Sequence, residues 1–241
     1  MIPKIIHYCW FGGKNKPTKI QQCIESWQTI LKDYEFIEWN ENNFDVNHSE
    51  YTKQAYEQRK YAFVSDIARI EALRQYGGIY LDTDVEVFKP FDDLLDGARF
   101  ILGFEYDNWV ATSFMACEKN HPFLHEFADL YLNEVFSQSN GTLNTNTNVN
   151  RLTKLLCEKG LLRENKLQCL SDGIIVYPIE FFSPYDYANC IMEKTEKSYC
   201  AHLFLVTWLP KTEQIKKRIK GILVKIIGKE KLRKTINEIK K

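Results

Sequence analysis

The stretch Gly77-Gly78-Ile79-Tyr80-Leu81-Asp82-Thr83-Asp84-Val85-Glu86-Val87 constrains this chain more than any other. Its two glycines suit a left-handed helix C-cap and the tight turn after it, where a Cβ would clash. Ile79, Leu81, Thr83 and Val85 then alternate with Tyr80, Asp82, Asp84 and Glu86, which is the period of a strand. The alternation predicts a buried strand, with Asp82 and Asp84 projecting to one side where it runs out. Two carboxylates so placed are close enough to serve one divalent cation, and hard oxygen ligands suit Mg²⁺ or Mn²⁺, which hold substrate phosphates while keeping open positions. Taken alone, the pair also fits two solvated acids at a strand end, since loop acids and ion pairs are common.

The preceding residues shift that balance. Residues 61–76 predict a helix packed on the sheet through Phe63, Ile67, Ile70 and Leu73. Asp66 and Arg69 lie three apart on one face of it. As a simple ion pair they would contribute only about 0.2–0.5 kcal/mol. Delivered beside a metal-binding strand end, the same two groups make a clamp for a donor sugar.

The run Ser65-Asp66-Ile67-Ala68-Arg69, followed by Tyr76-Gly77-Gly78-Ile79-Tyr80-Leu81-Asp82-Thr83-Asp84, resembles the signature of glycosyltransferase family 32. That family holds capsular-polysaccharide transferases, a yeast-type Golgi mannosyltransferase and relatives of the large glucosylating toxins. The likeness continues through Lys89-Pro90, Gly103-Phe104-Glu105 and Glu118-Lys119-Asn120-His121-Pro122, covering roughly the first half of the chain. It implies an α/β fold of the GT-A type, a Rossmann-like nucleotide-binding half with a mixed sheet. It also implies a retaining transfer from a nucleotide-diphosphate sugar, a UDP-sugar in preference to a GDP-sugar, to a glycan or lipid-linked acceptor in capsular or other cell-surface polysaccharide synthesis.

Site residues follow from the resemblance position by position. Lys4-Ile5-Ile6-His7-Tyr8-Cys9-Trp10 reads as a first strand closed by Phe11-Gly12-Gly13. Trp10 matches the tryptophan that stacks on the nucleotide base, and Gly12 belongs to the turn that lets backbone approach the nucleotide. Core packing is the plain alternative for Trp10, and His7 is expected to face the sheet. Asp84 would hold the metal directly, Asp82 directly or through ribose and water, and Asp66 and Arg69 would grip sugar hydroxyls. Tyr199-Cys200-Ala201-His202-Leu203-Phe204-Leu205-Val206-Thr207-Trp208 resembles the family's closing motif. It makes His202 a third metal ligand and brings Thr207 and Trp208 over the diphosphate. Glu105 falls at a strand end on the active-site side with no role assigned. The motifs supply no second carboxylate as nucleophile or base, which fits a same-face internal return.

Elsewhere the reading is coarser. A helix is expected from Pro17-Thr18 with Ile20, Ile24, Trp27 and Leu31 on its apolar face, then a strand at residues 34–39. Strand, helix, strand opens a nucleotide-binding half whose ligands sit beyond the carboxyl ends of the strands. Further strands are expected at residues 100–105 and 109–117, and helices at residues 50–59, 122–135 and 149–159. Seven scattered cysteines without a CxxC pair fit free thiols in a reducing cytosol. No apolar run approaches the ~20 residues that span a bilayer.

The formal neutrality of the chain conceals an asymmetry. Residues 211–241 hold twelve Lys or Arg against three acids, so residues 1–210 carry a matching excess of nine negative charges. Residues 1–210 are therefore read as the transferase domain and 211–241 as a tail of basic amphipathic helices. In the tail Ile215, Ile219, Ile222, Leu223, Ile226 and Ile227 fall on one arc. Such a pattern suits an anionic membrane surface or docking on protein, and places the chain in the cytoplasm at the inner face of the membrane. An acidic body opposes nucleic-acid binding. Two rival readings remain in the sequence: a catalytically inactive, membrane-associated carbohydrate-binding protein, and a DxD phosphatase. The phosphatase would need Gly-Thr after the second aspartate, where this chain has Val85-Glu86.

Overall fold

The computed structural model describes residues 1–187, 189 and 191–205. In chain order the strands are β1 (Ile5–Cys9), β2 (Glu35–Trp39), β3 (Gly78–Leu81), β4 (Val85–Val87), β5 (Phe100–Glu105), β6 (Trp109–Val110), β7 (Phe114–Cys117), β8 (Gln168–Cys169), β9 (Ile174–Tyr177), β10 (Tyr185–Asp186), β11 (Ile191–Met192) and β12 (Cys200–His202). The helices are α1 (Thr18–Ile30), α2 (Glu50–Glu57), α3 (Tyr61–Tyr76), α4 (Asp92–Leu95), α5 (Pro122–Asp129), α6 (Asn148–Glu158) and α7 (Ile179–Phe182). The central mixed sheet has eight strands in the order β2-β1-β3-β7-β5-β9-β8, with β6 paired to β5. The fold is the Rossmann-like mixed α/β arrangement that the resemblance implies.

Strand alternation sorts the core into two layers. Tyr80, Phe100, Leu102, Phe104, Met115 and Cys117 face α3, α5 and α6. Ile79, Leu81, Ile101, Phe114 and Ala116 face the opposite layer, where Trp27 of α1, Phe91 and Phe182 pack. Each such side chain contributes about 1.5–3 kcal/mol on full burial. Trp27 is fully buried and its indole donates to the Val85 carbonyl at 2.7 Å, tying α1 to β4.

The helix stop works as expected. Gly77 caps α3 at φ +68° with its amide on the Leu73 carbonyl, and Gly78 follows at φ +101°. A Cβ on Gly78 would lie 2.6 Å from the Ile5 carbonyl oxygen of the neighbouring strand. That approach locks β3 beside β1. His7 faces the sheet: Trp39 Nε1 donates to its Nδ1 at 3.1 Å, so its Nε2 donates to the Gly77 carbonyl at 2.8 Å. Burial lowers its pKa to about 4.

Several expectations need correction. The strand runs out at the two aspartates as expected, but the alternation beyond them belongs to a second strand. β3 stops at Leu81, Asp82-Thr83-Asp84 forms a turn closed by the Val85 amide on the Asp82 carbonyl, and β4 leaves to pair with β12. Residues 109–117 likewise split into β6 and β7, with residues 111–113 between them outside either strand. The helix after Pro122 ends at Asp129, not at residue 135. Phe63 is only partly buried, whereas α3 buries Val64, Ala68, Arg69 and Ala72 beside the expected Ile67, Ile70 and Leu73. A helix enclosed by sheet, α2 and α5 shows no clean stripe. The six described cysteines are all free thiols. No helix among the described residues is long and apolar enough to cross a membrane. Thr207, Trp208 and the tail lie outside the described residues.

Candidate active site

The carboxyl ends of β1, β3 and β5 open on one edge of the sheet, since β1 and β3 are parallel and β7 runs antiparallel between β3 and β5. On that edge Asp82 continues the phase of Tyr80, which faces α3, and there it meets Arg69. Arg69 Nη2 donates to Asp66 Oδ1 at 3.0 Å and reaches Asp82 Oδ1 at 3.3 Å. Its Nη1 donates to the Thr112 carbonyl at 2.7 Å and its Nε to the Ser65 carbonyl at 3.3 Å. The guanidinium also lies 4.6 Å from the centre of the Tyr80 ring. Burial opposes its charge, but Asp82 and Asp66 outweigh burial and hold it protonated. Little of it is left for a ligand, so Arg69 acts here as the keystone between two carboxylates.

Residues 111–113 serve this junction. Thr112 presents its carbonyl to Arg69, and Ser113 accepts from the Asp82 amide at 2.9 Å. Ser113 Oγ is buried and makes no hydrogen bond among the described residues.

Asp84 belongs to a second junction. Its Oδ1 lies 3.2 Å from His202 Nε2, its Oδ2 accepts from the Leu205 amide at 2.8 Å, and its carbonyl accepts from the Leu203 amide at 2.9 Å. The chain after β12 thus wraps Asp84, with Phe204 at φ +48° between the two donating amides. Burial alone would raise the pKa of Asp84; His202 and the Leu205 amide outweigh it and hold the carboxyl below its ordinary range. Burial alone would lower that of His202, but Asp84, with Asp82 and Glu105, raises it to about 9.

Asp82, Asp84 and His202 offer ligand atoms that all lie within 4.8 Å of one another. Tyr80 donates to Asp82 Oδ1 at 3.0 Å, the oxygen that also faces Arg69, and Oδ2 has no hydrogen-bond partner among the described residues. His202 Nδ1 is buried without a hydrogen-bond partner among the described residues. Two carboxylates beside an orphaned imidazole nitrogen fit a divalent cation with Mn²⁺-like tolerance for nitrogen. A metal bound at that nitrogen would remove the cost of leaving its lone pair unmet.

Asp66 sits on the α3 side of Arg69, its side chain 13% exposed. Burial raises its pKa to about 6, with Arg69 pulling the other way. Its carbonyl accepts from Asn148 Nδ2 at 3.1 Å, and Tyr131 donates to Asn148 Oδ1 at 2.5 Å. Asn148, buried at the start of α6, went unassigned in the sequence because its polar, asparagine-rich segment reads as loop. Trp10 is half-exposed and outside the core; its indole donates to the Lys14 carbonyl at 2.6 Å, and Lys16 Nζ lies 5.6 Å from its ring centre. Gly12 adopts φ +91°, and a Cβ there would lie 2.3 Å from the Tyr61 ring. Its amide donates to Glu41 at 2.6 Å. Glu105 ends β5, and burial raises its pKa, with His202 and Arg69 opposing. A cleft of about 610 Å³ between α6 and Trp109, lined also by Asn146, Asn150, Lys154 and Arg163, contains none of these cluster residues.

The model of the family described as capsular polysaccharide synthesis protein matches residues 1–220. The chain belongs to that family. The resemblance to glycosyltransferase family 32 stands beside that match. Curated proteins similar to this chain include inositol phosphoceramide mannosyltransferase 1 of Schizosaccharomyces pombe, 29% identical over 52% of this chain and 41% of that protein. This chain therefore spans less than half of that relative. An uncharacterized glycosyltransferase of Acanthamoeba polyphaga mimivirus is 26% identical over 87% of this chain and 85% of its own length. Among solved structures, the PaToxG glycosyltransferase aligns with a TM-score of 0.49 and 20% identity, covering 66% of this chain and 70% of that one.

Proposed function

We propose that the chain transfers a sugar from a nucleotide-diphosphate donor, with retention of configuration and a divalent metal, to a glycan or lipid-linked acceptor in capsular or other cell-surface polysaccharide synthesis. The observation that carries this reading is the convergence of Asp66, Arg69, Asp82, Asp84 and His202 on one edge of the sheet, next to Trp10. In this reading Asp82, Asp84 and His202 hold Mn²⁺ or Mg²⁺, which when bound neutralises the charge developing on the leaving diphosphate. Trp10 stacks on the base, and Gly12 shapes the turn beneath it. Asp66 accepts from donor-sugar hydroxyls and fixes the anomeric carbon. Arg69 keeps Asp66 and Asp82 in register, and the family resemblance assigns Thr207 and Trp208, outside the described residues, to the diphosphate. A UDP-sugar is the favoured donor and a GDP-sugar the alternative. A lipid-linked acceptor draws support from the relative named for inositol phosphoceramide. Transfer of radiolabel from UDP- and GDP-sugars in the presence of Mn²⁺ tests the reading; absence of both transfer and donor hydrolysis across the panel would sink it.

Substituting Trp10→Ala should raise the donor KM far more than it lowers kcat, because base stacking is largely uniform binding. The expected loss is about 1–3 kcal/mol, as for stacking on single-stranded nucleic acids. Unfolding with donor affinity unchanged would return Trp10 to a packing role.

We place the protein at the inner face of the membrane, held by residues 211–241. Each Lys or Arg near an anionic surface contributes about 1 kcal/mol. The full chain should bind anionic vesicles, release with salt, and lose binding when truncated after Pro210. Equal binding of both forms in a flotation assay would refute the tail's role.

A further inference from the structure

One ionisable group at the carboxyl edge of the sheet has no structural task. Glu105 closes β5, two strand places from β3, so ordinary strand spacing puts its Cα roughly 10 Å from the end of β3. Its carboxylate makes no hydrogen bond or ion pair among the described residues, although it lies within electrostatic reach of His202, Asp82 and Arg69. Along β5, Phe100, Leu102 and Phe104 belong to the core layer under α3. Ile101 belongs to the other layer, and Glu105 shares its phase. The carboxylate is therefore directed to the side of the sheet where β4 and β12 hold Asp84 and His202.

The hairpin that carries Glu105 is built to stay in place. Glu105 pairs with Trp109 across the turn, so the two side chains rise from one face of the hairpin. Asp107 and Asn108 turn the chain at φ +59° and +55°, a region Asp and Asn tolerate. Arg163 donates to the carbonyls of both, at 2.7 and 3.3 Å, and lies 3.9 Å from the centre of the Trp109 ring. Tyr106 at the tip is 58% exposed. An unpaired acid on a braced, aromatic-rich hairpin is poorly explained by folding. Sugar hydroxyls and the apolar faces of sugar rings are what such a surface would bind.

The order along the edge says which sugar. Trp10 follows β1 on one side of β3, and Glu105 ends β5 on the other. A donor whose base lies on Trp10 and whose diphosphate lies at Asp82, Asp84 and His202 points its reacting end away from Trp10. Its own sugar falls to Asp66, on the α3 face. We propose that Glu105 binds the acceptor: a hydroxyl of the acceptor sugar donates to its carboxylate, with the exposed Tyr106 as the adjoining wall. This rests on the donor reading above and adds to it the acceptor side.

The test uses the full chain with Mn²⁺, the donors UDP-glucose, UDP-galactose and GDP-mannose, and p-nitrophenyl glycosides of glucose, galactose and mannose as acceptors. Transfer product and free sugar are measured together, so that transfer can be compared with hydrolysis in each variant. Glu105→Ala should raise the acceptor KM and lower the ratio of transfer to hydrolysis roughly ten- to hundredfold, the loss that a charge-assisted hydrogen bond brings. The donor KM should move less than about twofold, since no donor contact is removed. Glu105→Gln, which keeps a hydrogen-bond-accepting oxygen and the side-chain volume, should recover part of the ratio. An unchanged ratio in Glu105→Ala would overturn the assignment. So would a parallel fall of transfer and hydrolysis, which would put Glu105 at the metal or donor. A wild-type enzyme that hydrolyses donor yet glycosylates none of these sugars would count against a sugar-binding hairpin. Failure of the wild type to act on any donor would instead overturn the donor reading, and this inference with it.

Discussion

Asp84→Asn should leave the fold standing and remove turnover, by about 10²–10³-fold for one well-placed electrostatic group and further if the metal is lost. The substitution preserves volume but takes away the charge that faces His202 at 3.2 Å. The Leu205 amide can still donate to the remaining carbonyl oxygen, so the wrap of the chain after β12 keeps its anchor. Initial rates of donor turnover with saturating Mn²⁺ check the prediction, beside a thermal melt to show that the protein is folded. Rates in Asp84→Asn close to wild type, unaffected by EDTA, would remove the metal from the account.

Arg69→Met should damage stability and activity together. Its guanidinium is 5% exposed and is the partner of two carboxylates that are 13% and 25% exposed. Removing one member of a buried ionic set leaves the others uncompensated, at a cost of about 3–5 kcal/mol. For a chain of this length that corresponds to a fall in Tm of roughly 6–20 °C. Arg69→Lys should rescue little, because one ammonium cannot serve Asp66, Asp82 and the Thr112 carbonyl with the planar fork those positions require. A Tm and a specific activity near wild type in Arg69→Met would show that the keystone role is misplaced.

Much of this centre was legible before any coordinates. The helix stop at Gly77-Gly78 and the Asp66–Arg69 pair follow from local rules of spacing and conformational freedom, which do not depend on the rest of the chain. The second strand beyond Asp82–Asp84 was not legible, because Val85 and Val87 keep the period of β3 while leaving it for a different sheet. Periodicity records that a residue is alternately buried, and not which strand buries it. The pairing of β4 with β12 joins residues more than a hundred positions apart, so only resemblance could put His202 beside Asp84. Asn148 is hidden for another reason: an asparagine among asparagines and threonines carries no pattern, and its burial is set by Tyr131 and the carbonyl of Asp66. Arg69 looked like a ligand-binding group in sequence; its enclosure by Thr112, Ser65 and the Tyr80 ring makes it chiefly a support for the groups beside it.

The central claim is that Asp82, Asp84 and His202 hold a divalent ion that in turn holds the diphosphate. Calorimetric titration of UDP, with GDP alongside, into the full chain in Mn²⁺ and in EDTA tests it most directly. Because the metal-free site keeps a proton on His202 up to a pKa of about 9, ligation near neutral pH must displace that proton. The account predicts nucleotide binding in Mn²⁺, proton release visible as a dependence of the heat on buffer, and loss of both in EDTA and in Asp84→Asn. Equal nucleotide affinity in Mn²⁺ and EDTA, with no proton released, would contradict it.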